Sequence, residues 1–236
     1  MSQYLNLGIS LEVVLKVKGI DSFFKENPLM GYEPVARDGG ICLKGKVELC
    51  HSYKNYPVVQ QMLDLKIVIP SGYPNAQPEF EEVGGFVPRI DAYHINPDGT
   101  LCLGSPFRID TFLRENSDFL EFFNAFFIPY IYAVALKKDH GINFVFGELK
   151  HGTEGEIEDF ASVIGLTNQS KLVACAHALS QKKRIANKEP CPCSCGLKLG
   201  KCVLHHRLNK LRKPLPRNWY RKFKTKILRS MTQTGT

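Results

Sequence analysis

The residues with most chemical potential lie in Tyr93-His94-Ile95-Asn96-Pro97-Asp98-Gly99-Thr100-Leu101-Cys102-Leu103-Gly104. Cys102 stands between two leucines, just past a Pro-Asp-Gly turn and close in sequence to His94 and Asn96. Apolar neighbours anchor such a thiol while the turn keeps the approach to it open. The thiolate is the working nucleophile, and an asparagine amide donates to an oxyanion without competing for a proton. This combination suits acyl transfer through a thioester. Cys42, Cys50 and Cys175 lie inside apolar patterns and read as small buried hydrophobes instead. A thiol hydrolase would want a histidine paired to Cys102 as base. His51, His140 and His151 have no spacing that pairs them with it.

A second chemical segment runs from Cys191 to His206, with Cys191, Cys193, Cys195 and Cys202 followed by His205 and His206. Soft sulfur and imidazole donors at this density suit a structural, tetrahedral zinc. Lys198, Lys201 and Arg207 offset the thiolate charge. Residues 208–229 then interleave bases with Leu211, Leu215, Trp219, Tyr220, Phe223 and Ile227. Pro214 and Pro216 break the first part, and Trp219–Leu228 has the pattern of a basic amphipathic helix. Bases among aromatics are compatible with nucleic-acid or membrane-surface contact, or with docking onto protein.

The elements that must hold these segments follow from periodicity. Residues 10–26 predict an amphipathic helix, with Asn27-Pro28 ending it. Gly31–Arg37, Ile41–Tyr53, Gln61–Ile69 and Phe80–Val83 predict four strands, and Asp38-Gly39-Gly40 predicts a hairpin turn. An aromatic-rich helix is expected over about 116–137, then helices near 155–165 and 169–187. Helix, antiparallel meander, irregular segment and helices make an α+β order. The expected division is a domain over 1–187 and a small zinc-binding basic tail over 188–236, the boundary lying at Asn187-Lys188-Glu189-Pro190.

The chain of 236 residues carries a net charge of +8, which conceals an asymmetry. Residues 1–180 hold 15 Lys/Arg against 22 Asp/Glu, whereas residues 181–236 hold 16 Lys/Arg against the single acid Glu189. A basic segment of this kind meets nucleic acid, an acidic protein face or anionic lipid, or is simply a solvated tail. Charges within the first twenty residues exclude a signal-peptide core. The apolar run Phe119–Leu136 is interrupted by Glu121, Asn124 and Pro129, short of the ~20 clean residues of a spanning helix. A cytoplasmic location without a membrane partner is expected, and structural disulfides are not. No phosphate-cradling glycine-rich loop is present, so any acyl activation by ATP falls to another protein.

The Cys102 segment resembles the ubiquitin-conjugating enzymes, which carry His-Pro-Asn, a short loop, then Gly-x-Ile/Leu-Cys-Leu. His94-Ile95-Asn96 stands for the tripeptide and Gly99-Thr100-Leu101-Cys102-Leu103 for the cysteine segment. Tyr73-Pro74-Asn75-Ala76-Gln77-Pro78-Glu79-Phe80 resembles that family's Tyr-Pro-x-x-x-Pro-x-Phe element. Ile95 replaces the family proline and the loop is shorter than in eukaryotic members, both features of bacterial relatives in anti-phage operons built around a cyclic-oligonucleotide synthase. The resemblance implies a ubiquitin-conjugating fold, with Cys102 carrying a protein's C-terminal glycine and passing it to a lysine. It makes Asn96 the oxyanion donor or loop-ordering residue and His94 a loop brace. Asp98 would orient the incoming lysine, unless it is an ordinary turn residue. The implied partners are the synthase or a ubiquitin-like donor, with a separate activating enzyme where one is needed. The cysteine tail resembles the SEC-C zinc motif, whose first three ligands match Cys191, Cys193 and Cys202. Val203 stands at the fourth position, leaving that role to His205, His206 or Cys195. SEC-C tails bind partner proteins, which favours protein docking for the tail. The alternative is a non-catalytic adaptor that recruits protein or nucleic acid through it.

Overall fold

The computed structural model describes residues 17–33, 39–148, 150 and 152–233. The chain is α+β, with one four-stranded antiparallel sheet in the order β1-β2-β3-β4. Helix α1 (Ile20–Glu26) leads into β1 (Met30–Glu33), β2 (Ile41–His51), β3 (Val59–Ile69) and β4 (Glu79–Glu82). The first part of the expected N-terminal helix and the Asp38 corner of the hairpin turn lie outside the described residues. The described residues form two compact units. One comprises residues up to Gly104 with Phe112–Glu148, the other Ser105–Thr111 with the residues after Glu148.

In the first unit, the long pair β2–β3 runs in register from Ile41↔Ile69 to His51↔Val59. Alternation turns Leu43, Val47 and Leu49 inward together with Leu63, Leu65 and Ile67. Cys42 and Cys50 share the other parity and so the other face, where Cys42 is nonetheless buried and Cys50 is exposed. Cys50 is therefore not the buried hydrophobe its apolar neighbours suggested: it lies on the outer face near the far end of β2, where it stays uncovered.

The inner face of the sheet receives α3 (Phe119–His140), in which residues Phe123–Phe127 form a π-helical segment. Pro129, just beyond, has no N–H to donate to the ladder, and the widening lies immediately before it. By length and composition this is the one helix among the described residues apolar enough to cross a membrane, yet 61% of its apolar window is buried. Its burial on several sides explains an apolar pattern wider than one stripe. Phe80 of β4 lies 5.3 Å from Phe127 and 6.1–6.4 Å from Phe119, Phe122 and Phe123, ring centroid to ring centroid.

The second unit contains α4 (Gly152–Ile164), α5 (Gln169–Ser180), the single turn α6 (Lys183–Ala186), α7 (Leu204–Leu211) and α8 (Arg217–Gln233). Helix α2 (Pro106–Glu115), absent from the sequence expectation, contributes its first residues here. A single core joins Ile157, Phe160, Leu172 and Leu179 to Leu199, Leu208, Tyr220 and Ile227. The 187–190 turn consequently falls inside this unit. The expected tail cannot bury its apolar stripe alone, and α4 and α5 supply the missing surface.

Asp159 is buried in this core and accepts hydrogen bonds from Ser105 Oγ and, at 2.6 Å, from Arg108 Nε. That pairing satisfies a carboxylate that burial would otherwise penalise. Trp219 donates Nε1–H to Asp110 Oδ2 at 2.6 Å and packs on Phe107 and Phe223. The aromatic residues of the basic segment are thus spent on its own core.

Phe80→Ala should lower the unfolding free energy by about 3–5 kcal/mol, measured by urea denaturation followed by circular dichroism. A change under about 1 kcal/mol would contradict the central place given to this ring.

Candidate functional site

Residues 94–102 form a tight hairpin. Cys102 N–H donates to His94 O and Asn96 N–H to Thr100 O, both at 2.8 Å, around the bridge Ile95↔Leu101. This register sets His94 opposite Cys102 and Asn96 opposite Thr100. His94 takes a left-handed backbone conformation, φ 56°. Gly99 also has positive φ (88°), and a side chain there would press on Arg89 Nη1. Glycine meets both demands of the turn.

Three anchors hold the hairpin. Leu101 N–H donates to Phe80 O at 2.8 Å, tying it to β4. Arg89 donates to Gly99 O at 2.5 Å and to Glu82 O at 2.6 Å, joining the turn to the same strand. From α3, Tyr130 Oη donates to Tyr93 O and Lys137 Nζ to Ala92 O, each at 2.7 Å. Burial raises the pKa of the Tyr130 hydroxyl well above its ordinary value, and the negative charge of Cys102 adds to the shift. Tyr130 is therefore a neutral donor beside the thiol at physiological pH.

Around Cys102, which is half-buried, each expected residue has a defined partner. Asn96 Nδ2 donates to Thr100 Oγ1 at 2.9 Å. Thr100 donates its hydroxyl and its N–H to Asp98 Oδ1, at 2.6 and 3.0 Å. These bonds, the side-chain one foremost, hold the Asp98 carboxyl below its usual pKa. This is the bonding of an Asx turn. His94 packs edge-on against Phe144 at 4.8 Å, and its Nε2 lies 3.4 Å from Glu148 Oε1. Glu148 also accepts from Lys137 Nζ at 3.3 Å. Burial works against the Glu148 carboxylate, but Lys137 and His94 together bring its pKa below the ordinary value. Arg89, Tyr130, Lys137 and Glu148 were not singled out from sequence. Only Tyr130, a hydroxyl inside an apolar helix, carried a local signal.

The second site closes around a hairpin at 190–198. Cys191 N–H donates to Leu197 O at 2.8 Å, and Pro190 bridges to Lys198. The sulfurs of Cys191, Cys193, Cys195 and Cys202 all lie within 4.8 Å of one another, with Cys191–Cys193 at 3.2 Å and Cys193–Cys202 at 3.6 Å. A tetrahedral thiolate site with metal–sulfur bonds of about 2.3 Å spaces its sulfurs about 3.8 Å apart. Leu204 N–H donates to Cys202 Sγ at 3.4 Å. Burial raises the pKa of the Cys191 thiol, whereas backbone donation, foremost from Leu197, brings that of Cys195 down to about 7. Amide donors aimed at sulfur favour the deprotonated, ligating form.

Neither histidine joins this group. His205 Nδ1 lies 3.0 Å from Asn187 Oδ1, an acceptor, and His205 Nε2 lies 2.7 Å from Asn209 Nδ2, a donor. Both ring nitrogens are thereby spent, and the partners assign a neutral tautomer. Burial first, then the nearby charges of Lys183, His206 and Arg212, lower its pKa. His206 lies outside the cluster, its ring edge-on to His205 at 5.6 Å. Cys195, not an imidazole, thus stands as the fourth donor, and the set fits a structural metal ion.

Comparison of the chain with protein families, curated proteins and solved structures yields no match.

The donor set predicts that Cys195→Ser sharply reduces bound metal, while His205→Ala and His206→Ala retain it. Elemental analysis of protein purified without chelator distinguishes the cases. Metal retained in full by Cys195→Ser and lost from His205→Ala would reinstate a histidine ligand.

Proposed function

We propose that the chain is a ubiquitin-conjugating-enzyme-like acyl transferase of bacterial type. It carries the C-terminal glycine of a protein as a thioester on Cys102 and transfers it to a lysine. The observation that carries this reading is the hairpin register around the thiol. His94 stands opposite Cys102 and Asn96 two pairs further along, on a turn that leaves Cys102 half-exposed. Supporting it, the hairpin follows a four-stranded meander and precedes a buried helix, the order the resemblance implies.

In this reading the Cys102 thiolate attacks an activated acyl group delivered by a partner, and the partner's leaving group departs. A lysine amine then attacks the thioester carbonyl, the tetrahedral oxyanion collapses, and the thiolate is released. Asn96 needs only to swing its amide from Thr100 toward the carbonyl to supply a donor. Asp98 maintains the turn through Thr100, and His94 braces the loop from its seat between Phe144 and Glu148. The structural ion is zinc, since four thiolates form one of its common closed sites. By the same resemblance, the glycine donor or acceptor is a cyclic-oligonucleotide synthase whose activity conjugation regulates in anti-phage defence.

The test is intact mass after incubation with the synthase, ATP and any activating partner, without reductant. Wild type should form a thiol-labile adduct, Cys102→Ser a thiol-stable ester, and Cys102→Ala none. Asn96→Ala should load within a few-fold of wild type but discharge to lysine about 100-fold more slowly. An unchanged discharge rate would remove Asn96 from the chemistry. An adduct on Cys102→Ala would remove Cys102.

A further inference from the structure

Beyond Cys102 and the cysteine cluster, the second unit contains an open cavity of about 760 Å³. Its walls carry five cationic side chains and no carboxylate: Lys182 and Lys183 after α5, Arg212 after α7, and Arg217 and Arg221 on α8. Leu179, Leu215 and Pro216 give it an apolar floor. Among the described residues, no carboxylate lies within ion-pair distance of any of these five cations. Other bases do find acids, as Lys150 does with Glu154 and Glu158. The cavity therefore concentrates positive charge that no described carboxylate pairs with.

Arg212 explains how the cluster is held. It donates to the carbonyls of Ala178, Leu179 and Gln181, closing the C-terminus of α5. Lys182, Lys183, Arg217 and Arg221 remain exposed around it. Arg217 and Asn218, which open the 17-residue helix α8, also line the cavity. First-turn amides and the positive helix end reinforce the attraction for an anion.

The shape and the aromatics narrow the ligand. The volume falls within the few hundred to about 1,000 Å³ of small-ligand sites. Tyr220 and Phe223 are buried and Trp219 packs on Phe107, which leaves α8 no aromatic wedge for lipid and no stacking platform for bases. Recognition must then run through phosphate groups, with the small apolar floor for the sugar or base. We propose that this cavity binds the phosphates of a nucleotide unit, either free or within a single nucleic-acid strand, without sequence preference. The site is independent of any chemistry at Cys102.

The test uses the full metal-loaded chain and fluorescence anisotropy of fluorescein-labelled oligouridine from about 50 to 200 mM salt. Arg217→Ala with Arg221→Ala should weaken binding about tenfold or more and flatten the log–log salt slope by about 1.4, the share of two phosphates. Lys182→Ala with Lys183→Ala, which also line the cavity, should act alike. Lys222→Ala with Arg229→Ala removes the same charge from α8 outside the cavity and should cost less than about twofold. ATP displacing the probe would identify a free nucleotide as occupant; failure to displace it would identify the strand, and either supports the site. No binding at low salt, equal losses in all three double variants, or equally tight binding of a poly-glutamate peptide would overturn it.

Discussion

Phe80 faces two demands at once, and the first unit is organised around meeting both. Its ring is buried among four phenylalanines of α3, and its carbonyl accepts the Leu101 N–H that seats the cysteine hairpin. Core packing and thiol placement therefore share one residue. The ring sets the distance between β4 and α3, and the carbonyl carries that setting to the residue beside Cys102. Arg89 repeats the arrangement with charge, bonding a β4 carbonyl and the Gly99 carbonyl together. A half-exposed thiol gains its fixed placement from such rigid neighbours, since loops hold side chains only as well as the scaffold beneath them.

The second unit meets a different constraint. Its C-terminal segment is too short and too charged to enclose a core by itself. It solves this by laying Leu208, Tyr220, Phe223 and Ile227 against α4 and α5, while the cysteine hairpin closes on four thiols. The sulfur cluster and the hydrophobic core are contiguous, because Cys191 in the hairpin and Leu199 just after it both belong to the core. Burial of the aromatic face also sorts the charges. With the apolar stripe turned inward, the bases of α8 are left on its outer side, and some of them gather where α5, α7 and α8 converge.

The acid of this unit that matters most is internal. Asp159 is fully enclosed and paired with Ser105 and Arg108. It uses its charge to seat the start of α2, whereas among the described residues no carboxylate pairs with the cavity cations.

What the sequence determined by itself is local. Alternation and turn residues specified the four strands, the aromatic helix and the α+β class. Motif spacing picked out Cys102, His94, Asn96 and Asp98, and cysteine density picked out the sulfur cluster. These are short-range properties, written in side-chain period and backbone preference. Helix α2 escaped notice because Gly104-Ser105-Pro106 reads as a turn and the ten-residue helix begins within it. Cys50 escaped because burial on the outer face depends on what covers each position, and Cys42, of the same parity, is covered where Cys50 is not. The fourth sulfur was undecidable in one dimension, since Cys195 and His205 are both within reach along the chain. Only folding spends the two nitrogens of His205 on Asn187 and Asn209. The partners of the Cys102 hairpin, Phe80, Arg89, Tyr130 and Glu148, are likewise tertiary. They act through carbonyls, charges and hydroxyls brought together from distant positions, and no sequence period encodes a contact between them.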